Sequence, residues 1–66
     1  MNARDITFES HGSIALVRAN TDRGQAWLDE HVAFEQWFGG AGVVEPRYAG
    51  PIIDGATHAG LQVVVQ

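Results

Sequence analysis

The sequence predicts a small α+β domain, with two helices on one face of an antiparallel or mixed sheet of about three strands, in the order β-β-α-(β)-α-β. Three observations predict it. Apolar and polar residues alternate near both ends, at 6–9 and 61–66, which is the period of a half-buried strand. Apolar residues recur every three or four positions in two interior stretches, Trp27, Leu28, His31, Val32 and then Tyr48, Ile52, Ala56, Ala59, as on one face of a helix. Glycine or proline interrupts the chain between these patterns, at Gly12, at 39–42 and at Pro46. With 66 residues and no repeat, linker or low-complexity tract, residues 1–66 make one domain.

Ile6-Thr7-Phe8-Glu9 forms the first strand, and Ser10-His11-Gly12-Ser13 the turn after it, with Gly12 free to take a positive φ. The second strand runs over 13–19. Ile14, Leu16 and Val17 put apolar groups on both of its faces, as an interior strand requires. Asn20 and Thr21 are both N-cap types, and Asp22 places a carboxylate in a first helical turn, where the helix dipole favours it. The first helix therefore spans 22–31 and leaves Asp22, Asp29 and Glu30 toward solvent. It persists or restarts through 34–38 until Gly39-Gly40-Ala41-Gly42 ends it, and Val43-Val44 is a short strand or an extended connector. Pro51 removes an amide donor, so a single turn at 46–49 is expected before a main second helix that starts at Pro51 and stops before Gly60. Leu61-Gln62-Val63-Val64-Val65-Gln66 closes the chain as a β-branched strand. Leu28 and Ile52 sit at the centres of the two apolar helix faces. Trp27 and Phe38 read as core, and Trp37 points away from their shared face.

Composition narrows the function classes. A chain this short buries only about 60% of its unfolded surface, which leaves little room for both a core and a deep cleft. No cysteine means no disulfide, thiolate nucleophile or cysteine metal site, and apolar packing alone suits a reducing cytoplasm. Neither a signal peptide nor a membrane span is expected. The four basic residues, Arg4, Arg18, Arg23 and Arg47, are scattered, so direct binding of nucleic acid is not expected. The glycines at 39–42 lack the Lys-Ser/Thr that a phosphate loop places after them. His11, His31 and His58 fall on three different elements without ligand spacing, and Ser10 and Ser13 lack a nucleophile-elbow pattern. No catalytic, cofactor or metal residue is assigned.

What stands out is residues 24–46, which hold Asp29, Glu30, Glu35 and Glu45 with no arginine or lysine, and four of the six aromatics, Trp27, Phe34, Trp37 and Phe38. Their charge equals the net charge of the whole chain, −4. Charge steers encounter, and aromatic rings supply area that can be desolvated, so this is the makeup of a contact surface. The candidate partner-binding residues are Asp22, Asp29, Glu30, Glu35, Trp37 and Glu45. Asp5 and Glu9, on the first strand, read as peripheral to it.

Gly-Ser-Ile-x-Leu-Val at 12–17, Thr21-Asp22 followed by Trp27-Leu28-Asp29-Glu30, Trp37-Phe38-Gly39-Gly40, Val43-Val44-Glu45-Pro46-Arg47-Tyr48 and Gly60-Leu61-x-Val63 together resemble small acidic proteins encoded by bacterial phages and mobile elements. In size and charge the chain is similar to anti-CRISPR proteins that act on type I-C interference complexes. The likeness spans most of the chain and brings no catalytic motif. It implies a cytoplasmic monomer that is not an enzyme and occupies a basic DNA-binding surface of such a complex, mimicking phosphate charge. The alternative is a phage or host accessory module that binds through an apolar surface. A small enzyme or metal binder is the third class.

Overall fold

The computed structural model describes residues 4–66. Residues 1–3, which the absence of a signal peptide partly rests on, lie outside the described residues. Seven elements follow in the order β1 Ile6–His11, β2 Ile14–Ala19, α1 Asp22–His31, β3 Trp37–Phe38, β4 Ala41–Val44, α2 Pro46–His58 and β5 Val63–Val65. The strands form one mixed sheet in the order β3-β4-β2-β1-β5. Only β5 runs parallel to its neighbour, with Ile6 opposite Val63; every other pairing is antiparallel. No helix among the described residues is long and apolar enough to cross a membrane.

The α+β class stands, but five strands replace the expected three. Both additional strands come from 37–44. Trp37-Phe38 is a strand, not the continuation of a helix, and Gly39-Gly40 is a hairpin turn, not a helix terminator. Both glycines have positive φ, 56° and 81°, as a two-residue type I′ turn demands. Val43 N–H also donates to the Gln36 carbonyl at 3.0 Å, extending the ladder past Trp37. The hairpin wins because it pairs the backbone of this stretch and sets two aromatics in a state they favour.

Register puts Ile6, Phe8, Val17, Ala19 and Val63 on one face of the sheet, where they meet Leu28 of α1 and Ala56 of α2 in a single core with Leu61. Both helices therefore cover the same face. On the other face Thr7, Glu9, His11, Leu16 and Arg18 alternate, and Leu16 is buried with Glu9 and Val43 flanking it in register. As expected of an interior strand, β2 is central in the sheet.

Thr21 caps α1, its Oγ1 accepting from Gly24 N–H at 3.0 Å. The helix ends at Val32, whose extended backbone (φ −129°, ψ 126°) turns the chain toward β3. The second helix starts earlier than expected: α2 is continuous from Pro46 and contains Pro51. The missing Pro51 amide would have served the Arg47 carbonyl, and both residues lie exposed, where water can take its place. After α2, Gly60 (φ 86°) donates to the Thr57 carbonyl at 3.0 Å and Leu61 to the Ala56 carbonyl at 3.1 Å, a Schellman motif that seats Leu61 in the core.

Candidate protein-binding surface

Three of the four arginines are held by acids. Asp5 is only 2% exposed. Its carboxylate accepts from Thr21 Oγ1 at 2.6 Å, Arg23 Nε at 3.0 Å, Arg23 Nη2 at 2.8 Å and the Gln62 amide at 2.9 Å. Its own carbonyl accepts from Asn20 N–H at 2.8 Å and lies so close to Gly24 that a Cβ there would collide with it. Asp5 ties β1, the start of α1 and the approach to β5 together. The Arg23 guanidinium, with help from Gln62 and Thr21, drives this carboxyl well below the ordinary carboxylate range. Glu9 is likewise lowered by its hydrogen bonds to His11 at 3.2 Å and Arg18 at 3.0 Å, while Arg18 Nη1 reaches the Gly39 carbonyl at 3.2 Å. Glu45 takes Arg47 Nε at 2.7 Å instead of capping α2.

These pairs decide where uncompensated charge lies. Among the described residues Asp22, Asp29, Glu30, Glu35 and Asp54 make no ion pair. With Asp5, Glu9 and Glu45 matched by Arg23, Arg18 and Arg47, those five acids against Arg4 account for the net charge of −4. Asp22, Asp29 and Glu30 share the solvent face of α1, where Gln25 Nε2 donates to Asp29 at 2.8 Å.

The other candidates lie apart from that helix. Glu35 follows α1 in a loop, and it shares with Glu45 the wall of an open groove of about 440 Å³ that Ile14, Val43, Val44 and Tyr48 also line. Trp37, 56% exposed, stands on edge strand β3 with its ring edge-on to Phe34 at 5.0 Å. Phe34 lies over Gly42, where any Cβ would collide with its ring. Phe38 corrects the sequence reading. Expected in the core, it is 68% exposed, because strand alternation turns it to the face opposite Trp37. Trp27 is half-buried, packed on Gly55 of α2 and tilted against His31 at 4.7 Å. Tyr48, placed on the α2 face by periodicity, is half exposed and carries the Arg47 guanidinium 4.9 Å from its ring centre.

Sequence reasoning missed Phe38 and Tyr48 as surface aromatics; the Gly-Gly pair flanked by aromatic and β-branched residues was the signal for the first. Among the described residues no three His, Asp or Glu side chains converge as metal ligands. Compared with protein-family models, curated proteins and solved structures, the chain finds no match in any of the three.

Proposed function

We propose that this protein binds another protein, docking the acidic face of α1 against a basic surface that otherwise handles nucleic acid. The observation that carries the reading is the partition of charge: internal pairs absorb three arginines, and three unmatched carboxylates stand on one exposed helix face. Such a face accelerates encounter with a basic partner and competes with phosphate for it. Trp37 and Phe38, projecting from opposite faces of an edge strand, supply the apolar area that holds the complex once formed. The resemblance to anti-CRISPR proteins makes the DNA-binding surface of a type I interference complex the first partner to test.

The test uses the triple variant Asp29→Lys, Glu30→Lys, Glu35→Lys against a purified type I-C complex, measuring both its affinity for that complex and the complex's affinity for target DNA. All three residues are exposed, so each change should alter stability by no more than about 0.5 kcal/mol. The parent should bind and displace DNA, with affinity falling steeply as salt rises, and the variant should do neither. Equal inhibition by parent and variant at physiological salt sinks the acidic-mimic reading. The exposure of Trp37 and Phe38 favours the second reading, an accessory module with an apolar contact, for which affinity would be nearly independent of salt and would collapse on Trp37→Ala instead.

A further inference from the structure

A trough lies at the end of the sheet where the loop after α1 meets the start of α2. Ala33, Val44 and Tyr48 line both of two adjoining depressions. One end continues over Ile14 and Val43, the other over Val32, Pro51 and Ile52. Polar and apolar side chains share its lining, with Glu35, Gln36, Glu45 and Arg47 at one end and Val32, Pro51 and Ile52 beside His31 at the other. Tyr48 and Ile14 remain exposed within it.

The charges along it are unequal. Arg47 is engaged twice, by Glu45 at 2.7 Å and by the Tyr48 ring at 4.9 Å, which leaves Glu35 at the rim with no cation among the described residues. A segment placing an apolar side chain in the trough would set its neighbouring residue beside that carboxylate. A basic neighbour would gain an ion pair with Glu35, and an acidic one would meet two carboxylates and the single Arg47 guanidinium that Glu45 already holds. We propose that this trough docks a segment of a partner protein in which a large apolar residue sits next to arginine or lysine. The proposal deepens the reading above, because it rests on a basic protein partner and names what that partner presents.

The probe is the peptide acetyl-Gly-Leu-Arg-Trp-Gly-amide, titrated into the full chain while backbone amide shifts are followed. Two controls replace its arginine by glutamate, or its leucine and tryptophan by serine. The parent peptide should saturably shift Ala33, Val43, Val44 and Tyr48, and neither control should saturate. Tyr48→Ala should weaken binding about tenfold, as loss of an aromatic anchor does. Glu35→Gln should weaken it about threefold at low salt, as loss of one rim ion pair does. Asp29→Lys with Glu30→Lys should leave peptide binding unchanged while abolishing binding to the interference complex, so each reading can fail without the other. Equal binding of the controls, shifts confined to α1, or indifference to Tyr48→Ala would overturn the proposal. Concentration-dependent shifts of the same residues without peptide would also overturn it, assigning the trough to a second copy of the chain.

Discussion

Asp5 shows how little a residue's place in the sequence says about its work. It precedes the first strand beside an arginine and looks like a surface charge, yet among the described residues it is the most heavily hydrogen-bonded side chain. Its partners sit 16, 18 and 57 positions away, and no pattern of spacing reveals a contact set by tertiary folding. Because its carboxyl is driven below its ordinary value of 3.8, the folded state holds the ionised form more tightly than the unfolded chain does. The stability it contributes is complete above that value and is lost as acid protonates the folded carboxylate. Thermal melts between pH 7 and pH 2 should therefore show a melting temperature that falls steadily below about pH 5. Asp5→Asn should lower the neutral-pH melting temperature by several degrees and flatten this fall. An acid profile unchanged by Asp5→Asn would show that other carboxylates govern it.

Among the elements, α1 appears where capping places it, since Thr21 both caps and ends the preceding extended segment. Strand β1 begins where alternation places it but runs on through Ser10 and His11, read as turn, because both pair with β2. The stretch 34–44 was not legible, because Phe34, Trp37 and Phe38 sit three and four apart and imitate a helix face, while a pair of glycines stops a helix as readily as it turns a hairpin. Gly39→Ala and Gly40→Ala meet open space, so their cost is conformational, about 1–2 kcal/mol each. D-alanine at either position should restore most of that stability in denaturant melts, which an L-residue in a helix stop of ordinary φ would not require. The second helix was half legible, since its face was right and its start was wrong. Continuity through Pro51 predicts slow amide exchange on both sides of it, at Gly50 as well as at Ile52 and Ile53. Fast exchange at Gly50 with protection beginning only beyond Ile52 would mean two separate helices.

For the whole molecule, the surplus of acid was readable from composition, whereas its address was not. Counting charges over 24–46 includes Glu45, which Arg47 occupies, and leaves out Asp22, which completes the α1 face; only the folded chain sorts matched from unmatched carboxylates. Folding also brings together the most distant parts of the sequence, with β1 lying between its hairpin partner β2 and the late strand β5. The consequence is kinetic. Closing the β1–β2 hairpin spans two residues, while docking β5 waits for the whole intervening chain, and loop closure becomes slower and entropically dearer as the loop lengthens. The hairpin should therefore be formed in the folding transition state and β5 should arrive after it. In stopped-flow chevrons Val17→Ala should mainly slow refolding, and Leu61→Ala, at the entry to β5, should mainly accelerate unfolding. Leu61→Ala slowing refolding as strongly as Val17→Ala would place β5 in the nucleus and reverse this order of assembly.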